Sequence, residues 1–304
     1  MFSNPLDDAL FLPTAARVVG LLLLALVAVL VIERRNLWPP TRCAMLRQWF
    51  SWSLISPVFL LGVVSGPAAI AILVMAITTQ GLWEYGRLVS LSPLYLRVLL
   101  LTGLLAAPVA LFSDNAFYLL APLLLIFSTL QPLLYGSVES GIRQLAFAVL
   151  GWAYISWLLG HIVLIHRYIP GGDGIIIVMV AAAALSDVGA FAFGKTFGRR
   201  RLSPRLSPNK TVEGVIGNFF GAFVGVAIMA FAVPGEILGA FFLGMPVLIG
   251  VGALWGDLVE SAIKREFQVK DAGHWLPGFG GLLDRIDSLI IVAPLTYYFM
   301  RIVS

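Results

Sequence analysis

The chain has 304 residues, of which 60% are hydrophobic and 12% are charged, and its mean hydropathy is +0.95. Soluble domains carry about 25% charged residues, so this composition excludes an ordinary soluble protein and indicates a polytopic membrane protein. The net charge of +4 is too small to indicate nucleic-acid binding, and a single cysteine, Cys43, excludes an internal disulfide.

Apolar runs of membrane-spanning length recur along the whole chain. We predict about ten spans, near 15–33, 49–64, 67–87, 94–112, 116–135, 144–165, 174–194, 214–233, 236–256 and 286–303. The second and third are separated only by Ser65, Gly66 and Pro67, so one long broken helix is the alternative there. The sequence therefore predicts an all-α, polytopic transmembrane helix bundle.

The basic residues are distributed unequally between the predicted loops. If the N-terminus lies outside, the cytoplasmic loops are 34–48, 88–97, 136–143, 195–213 and 257–285. With Arg87 assigned to its adjoining loop, these loops hold all of the 20 lysines and arginines except Arg17, Arg167 and Arg301. Cytoplasmic loops of membrane proteins are enriched in lysine and arginine, so the polar loops are predicted to face the cytoplasm.

Two features lie within the predicted spans themselves. Gly217, Gly221 and Gly225 form a ridge of small residues, which is typical of closely packed membrane helices. Asp187, next to Ser186, is an ionisable residue at membrane depth, and such residues are costly enough to indicate a functional site. The alternative for Asp187 is a carboxylate that only pairs with a neighbouring helix.

The loop 195–213 is the first of two long charged loops. Its Arg199–Arg201 run suits anchoring against anionic headgroups. The following Ser207, Pro208, Lys210 and Thr211 stand just before a predicted helix, where a lysine and hydroxyls favour anion binding. We therefore expect Lys210 to bind phosphate, against the alternative of an ordinary helix-entry loop.

The second charged loop, within 257–288, is the longest strongly polar run of the chain. If the ninth span continues as a helix, Asp257, Ser261 and Lys264 share one face. Asp284 and Asp287 are likewise one turn apart at the head of the last span. Two helix ends would then bring three aspartates together, and carboxylates so close repel one another unless a cation lies between them.

Mg²⁺ is the natural cation for such a set, because carboxylate oxygens are the ligands it prefers. The glycine-rich turn 277–281 within the same run lets backbone approach a ligand closely. The sequence thus predicts a metal and phosphate site on the cytoplasmic side. The alternative is a solvated loop in which the acids merely balance the nearby lysines and arginines.

These residues resemble the signature of a known family, the phosphatidate cytidylyltransferases or CDP-diacylglycerol synthases. The resemblance is carried by Ser261-x-x-Lys264-Arg265-x4-Lys270-Asp271-x5-Pro277-Gly278-x-Gly280-Gly281-x-x-Asp284-Arg285-x-Asp287. Ser186-Asp187 and Ser207-Pro208-x-Lys210-Thr211-x-Glu213-Gly214 also resemble family motifs, and Trp83-Glu84-Tyr85 resembles a weaker one. The likeness covers roughly residue 50 to the C-terminus, so we expect an extra N-terminal span and basic loop at 1–48 and the cytidylyltransferase-like membrane domain at 49–304.

The resemblance implies a reaction in which CTP and phosphatidic acid give CDP-diacylglycerol and pyrophosphate. It implies a dinuclear metal site that includes Mg²⁺, with ligands at Asp257 and Asp284 and with Asp287 close by. It also implies a funnel-shaped bundle that opens to the cytoplasm and the bilayer of the inner membrane, and a homodimer.

The expected site residues follow from the pattern and the resemblance together. We expect Asp257, Asp284, Asp287, Lys264 and Arg265 to be catalytic, and the three aspartates among them to bind metal. The residues that we expect to bind CTP or the lipid phosphate are Lys210, Ser207, Thr211, Ser261, Lys270, Arg285, Gly280, Gly281 and Asp187.

One departure from the family pattern leaves open which lipid phosphate accepts the cytidylyl group from CTP. The family usually has histidine between the paired glycines, where this chain has Phe279. Phenylalanine neither carries a proton nor bonds a phosphate, so transfer from CTP to a polyprenyl phosphate or another lipid phosphate is the alternative; His274 is the nearby residue that would compensate. An ion-coupled transporter with Asp187 as its coupling carboxylate is the alternative of another class.

Overall fold

The computed structural model of the protein describes residues 2–33, 43–130, 138–204, 206–269, 272–273 and 280–303, except for the side chains of Ile32, Ala44 and 138–140. Several residues of the predicted site lie outside the described part of the chain. They are Lys270, Asp271, His274, Pro277, Gly278 and Phe279.

Helices make up most of the described chain, as the long apolar runs predict. In order they are α1 (Phe11–Ile32), α2 (Ala44–Val64), α3 (Pro67–Leu88), α4 (Pro93–Gly103), α5 (Ala106–Phe112), α6 (Asp114–Ser128), α7 (Val138–Gly151), α8 (Leu158–Tyr168), α9 (Gly172–Phe197), α10 (Val212–Met229), α11 (Leu238–Glu266) and α12 (Leu283–Val303). A π-helical segment, Trp152–Trp157, joins α7 to α8. The predicted all-α bundle is confirmed.

Eight helical stretches of the described residues are long and apolar enough to cross a membrane. Two of the ten predicted spans differ from these eight. Helix α2 is not among the eight; it has 21 residues, which include Arg47, Gln48 and three serines. Helix α6 has only 15 residues and ends at Ser128.

Helices α2 and α3 are separate elements rather than one broken helix. Gly66, between them, has a φ of +94°, a left-handed conformation that side chains other than glycine rarely adopt. The N-terminal segment fastens this turn, because the Ser3 backbone N–H donates to the Ser65 carbonyl at 2.9 Å and the Ser3 hydroxyl donates to the Val64 carbonyl at 3.0 Å. The first residues of the chain thus pack against the α2–α3 turn.

Helices α9 and α10 touch backbone to backbone along the predicted glycine ridge. A methyl group on Gly217 would overlap the carbonyl of Gly189, and one on Gly221 would overlap the carbonyl of Leu185. The ridge therefore packs inside the bundle, as small-residue ridges do in membrane proteins.

A short antiparallel hairpin connects these two helices at one end of the bundle. Its strands are β1 (Arg201–Ser203) and β2 (Ser207–Thr211), with Arg201 opposite Thr211. The Thr211 hydroxyl then caps α10 by accepting the Gly214 N–H at 3.0 Å. Arg265 of α11 donates from Nε to the Leu206 carbonyl at 3.3 Å, so the hairpin is tied to the next membrane helix.

The contact between α9 and α10 gives a matched pair of glycine-to-alanine variants. Gly221→Ala forces the new methyl group into the Leu185 backbone, and overpacking of this kind costs about 1–3 kcal/mol of stability. Gly239→Ala, also in a helix, meets nothing within 4 Å and is expected to be neutral or slightly stabilising. Thermal unfolding of both variants in the same detergent checks this; equal melting temperatures would contradict the close packing.

Candidate functional site

The candidate site lies where α11 and α12 meet. Helix α11 continues to Glu266, well past the predicted end of its span near residue 256, so the expected extension of this helix is confirmed. A methyl group on Gly256 would collide with the Asp287 carbonyl, and this glycine therefore lets the two helices approach most closely beside their acidic residues. The start of α12 carries Asp284 and Asp287, both buried.

Three carboxylates converge at this contact. Asp257, Glu260 and Asp287 each offer an oxygen atom, and these oxygens all lie within 4.8 Å of one another. Glu260 and Asp287 are buried, at 2% and 7% exposure, whereas the Asp257 side chain is 37% exposed. Close carboxylates repel one another in such a place unless positive charge lies near them.

The donor set fits a divalent cation. All three groups bind through oxygen, as hard cations prefer, and Glu260 Oε1 is a buried acceptor with no hydrogen-bond partner among the described residues. A buried oxygen without a partner, on a carboxylate that lies close to two others, is what a cation would satisfy. We call Asp257, Glu260 and Asp287 the acid cluster.

Two lysines supply positive charge to the acids. Lys210, at the end of β2, forms an ion pair with Asp257. Lys264 bridges two acids, with its Nζ 2.9 Å from Glu260 Oε2 and 2.7 Å from Asp284 Oδ1. The predicted approach of Lys210 from the other charged loop is thus present in the structure, although its partner is a carboxylate.

Asp284 lies beside the acid cluster, since Lys264 contacts both Glu260 and Asp284. Besides Lys264, its carboxylate accepts the Gly281 N–H at 2.8 Å and the Ala272 N–H at 3.1 Å. Of the three predicted metal ligands, Asp257 and Asp287 thus join Glu260 in the acid cluster, while Asp284 pairs with Lys264 and accepts these two N–H groups. A metal-binding role of Asp284 stays a prediction from the family resemblance.

The remaining predicted residues surround this centre. The Ser261 hydroxyl lies 3.4 Å from Asp257 Oδ1, and Arg265 and Arg285 are exposed nearby on α11 and α12. Ser207 and Thr211 belong to β2, where Thr211 is buried as the cap of α10. Gly280 has a φ of +85° and Gly281 is buried. Their contacts with CTP or lipid stay predictions.

Asp187 belongs to the same polar region. Its side chain is exposed although it lies within the long apolar helix α9, and it interacts electrostatically with Asp257, Asp287, Arg285 and Lys210. The structure therefore brings together α9, β2, α11 and α12 around one polar centre.

Sequence reasoning missed three residues around the site. Glu260 is absent from the expected ligands, yet it completes the acid cluster. Glu84 of α3 is 1% exposed and accepts the backbone N–H groups of Leu282 and Leu283. An acid inside an apolar helix is the signal that singled out Asp187, and it would have found Glu84 too.

Tyr154 is the third of these residues, and it lies in the π-helical segment. Its hydroxyl donates to the Gly256 carbonyl at 3.2 Å, next to the acid cluster. No sequence pattern indicates this contact, because it depends on the local widening of the helix. π-Helical segments occur frequently at functional sites.

The bridge made by Lys264 gives a prediction about stability. Lys264→Met leaves Glu260 and Asp284 buried without their cation, and breaking a buried pair in this way costs about 3–5 kcal/mol. Lys195→Met, which removes an exposed lysine, is the control and is expected to change the melting temperature little.

The pairwise interaction is measured by adding Asp284→Asn to Lys264→Met. Because both changes remove the same ion pair, the loss of the double variant is expected to be smaller than the sum of the single losses. Additive losses in thermal unfolding would contradict the pairing of Lys264 with Asp284.

Comparison with known proteins assigns the family. The model of the cytidylyltransferase family matches residues 46–303. Two relatives are the phosphatidate cytidylyltransferases of Bacillus subtilis (strain 168), 32% identical over 259 residues, and of Staphylococcus haemolyticus (strain JCSC1435), 38% identical over 152 residues. These alignments cover 83% and 49% of this chain, and 96% and 56% of the respective relatives.

A third relative carries no functional name. It is the uncharacterized protein YnbB of Escherichia coli (strain K12), 38% identical over 192 residues, which are 61% of this chain and 63% of that protein. The match thus spans less than two thirds of the E. coli and S. haemolyticus relatives and nearly all of the B. subtilis one. The resemblance noted in the motifs is confirmed, and the chain belongs to the cytidylyltransferase family.

Proposed function

We propose that the protein condenses CTP with phosphatidic acid to give CDP-diacylglycerol and pyrophosphate. The observation that carries this proposal is the convergence of the acid cluster with Lys210 and Lys264 where α11 and α12 meet. The names of the B. subtilis and S. haemolyticus relatives, both phosphatidate cytidylyltransferases, support the same reaction.

In the proposed reaction an oxygen of the lipid phosphate attacks the α-phosphorus of CTP. The new P–O bond forms as the bond between the α-phosphorus and the oxygen bridging to the β-phosphorus breaks, and pyrophosphate leaves with that electron pair. A phosphomonoester is already a charged nucleophile near neutral pH. The main barrier is therefore the repulsion between two anions, which positioned positive charge reduces.

The acid cluster is the proposed metal-binding site. Asp257, Glu260 and Asp287 would hold Mg²⁺ through their oxygens. When bound there, the ion supplies positive charge that neutralises phosphate oxygens and the leaving pyrophosphate. A second metal, with Asp284 among its ligands, remains part of the proposal on the strength of the family resemblance.

The basic residues have two different proposed tasks. Lys264 is held between Glu260 and Asp284, so it fixes the relative position of α11 and α12. Lys210 pairs with Asp257, which is partly exposed, and Arg265 and Arg285 are exposed on α11 and α12. We assign these last three residues to the phosphates of CTP and of the lipid.

The proposed setting is the inner membrane, with the site facing the cytoplasm. The helices expose many apolar side chains, including Leu24, Leu101, Phe191 and Leu243, which suit contact with lipid tails. A site at the inner membrane face would let soluble CTP meet a lipid headgroup without extraction of the lipid. The homodimer and the division at residues 48 and 49 stay part of this proposal.

The reaction is tested with the purified full-length chain in detergent. CTP labelled at its α-phosphate is supplied with Mg²⁺ and, in parallel, phosphatidate, a polyprenyl phosphate or another lipid phosphate. We expect labelled CDP-diacylglycerol and pyrophosphate in equal amounts from phosphatidate. If only the polyprenyl phosphate gives product, the lipid acceptor is a polyprenyl phosphate and not phosphatidate. If no lipid phosphate causes release of pyrophosphate, the proposal is contradicted.

Asp287→Asn tests the acid cluster within the same assay. Loss of one carboxylate charge removes a proposed ligand, so we expect turnover to fall at least about 100-fold, by analogy with the loss of one stabilising group in other active sites. Asp7→Asn, an exposed aspartate in the N-terminal segment, is the matched control and should turn over normally. Turnover of Asp287→Asn within about twofold of the control would remove Asp287 from the mechanism.

A further inference from the structure

Glu84 is a buried carboxylate in the N-terminal half of the chain. It lies near the end of α3 and is 1% exposed. Burial of a carboxylate is unfavourable unless hydrogen bonds or charges compensate for its lost hydration. The partners of this side chain therefore indicate why it lies there.

Both oxygens of Glu84 accept backbone N–H groups from a segment about 200 residues later in the chain. Leu282 donates to Oε1 at 3.0 Å, and Leu283 donates to Oε2 at 2.8 Å. These N–H groups belong to the start of α12, where a helix has donors that its own carbonyls cannot satisfy. A negative charge at this end of a helix is also favourable to the helix dipole.

Two glycines that flank residues 274–280 pack against the same carboxylate. A methyl group on Gly281 would lie 2.5 Å from Glu84 Oε2, and one on Gly273 would lie 3.0 Å from Glu84 Cδ. Gly273 and Gly281 stand on either side of residues 274–280. One carboxylate thus lies against Gly273, Gly281 and the first residues of α12.

The start of α12 carries two acids of the site. Asp287 belongs to the acid cluster, and Asp284 binds Lys264 and the Gly281 N–H. A shift of this end of the helix would therefore move both acids together. Gln80 holds Glu84 in turn, since its Nε2 donates to Oε1 at 2.9 Å.

We propose that Glu84 is a positioning residue for the acid cluster: it fixes Gly281 and the start of α12, and through them the place of Asp284 and Asp287. The inference rests on the proposed function, because the positioned carboxylates are those assigned to metal and phosphate chemistry. In the described part of the chain, the hydrogen bonds of Glu84 go to Gln80, Leu282 and Leu283, and none goes to the acid cluster.

Glu84→Gln is the main test variant. Its amide keeps the shape of the side chain but replaces one acceptor oxygen with an N–H group, which would face the N–H of Leu282 or Leu283. Loss of supporting residues around metal ligands typically lowers metal affinity or activity about 10–100-fold. We expect a loss of this size in the affinity for Mn²⁺ alone, measured by electron paramagnetic resonance of the free ion.

The same variant is then assayed over a range of Mg²⁺ concentrations. We expect the Mg²⁺ concentration for half-maximal turnover to rise by about tenfold or more, whereas a merely structural role would lower the amount of folded protein and leave this concentration unchanged. Glu236→Gln, at an exposed position, is the matched control and should behave as the unchanged chain.

Gln80→Ala is a milder second variant that keeps the carboxylate of Glu84 and removes the hydrogen bond that Gln80 donates to it. It should lower Mn²⁺ affinity by a smaller factor, and it tests the positioning role if Glu84→Gln does not fold. Mn²⁺ affinity within twofold of the unchanged chain in each folded variant would overturn the positioning role. Absence of CTP turnover in the unchanged chain would instead contradict the proposed function. The two failures can be told apart, because Mn²⁺ binding is measured without CTP.

Discussion

The neutralisation of carboxylates inside an apolar bundle is the constraint on which the rest of this structure depends. Glu84, Glu260, Asp284 and Asp287 are all buried among helices that otherwise expose and pack hydrocarbon. Their partners are of two kinds. Lys264 serves Glu260 and Asp284, backbone N–H groups serve Glu84 and Asp284, and Lys210 pairs with Asp257 of the acid cluster. These polar contacts link α3 to α12, β2 to α11, and α11 to α12.

Glycine makes the required approach of these helices possible. Gly256 allows α11 to touch the backbone of α12 beside the acids, and Gly217 and Gly221 do the same between α9 and α10. Two oxygens on different helices can share one small ion only if the helix axes are close, and any larger residue at these places would separate them. The acids are carried on long helices rather than on loops, which favours a precise geometry.

The sequence predicted the frame and part of the site, because both depend on local patterns. Apolar runs located the helices, and one-turn spacing placed Asp257 and Ser261 on one face of α11. The binding partners of the individual acidic side chains could not be predicted from local patterns. Whether Asp284 turns to a metal or to Lys264, and whether Glu84 reaches Leu282, depends on contacts between segments far apart in the chain. Eight of the predicted spans correspond to helical stretches of the described residues that are long and apolar enough to cross a membrane, while the predicted span 116–135 continues beyond α6 into residues outside the described part.

The π-helical segment Trp152–Trp157 has a consequence for the evolution of the chain. Such a segment holds one residue more than an α-helix of the same height, and successive residues of an α-helix are turned by about 100°. Loss of a single residue there would return the segment to the α form and rotate α8 by that angle relative to α7. Tyr154 or the buried face of α8 would then point away from its present neighbours. Homologous chains that keep this bundle are thus constrained in the length of this helix as well as in its composition, and a one-residue gap in an alignment here would mark a change of architecture.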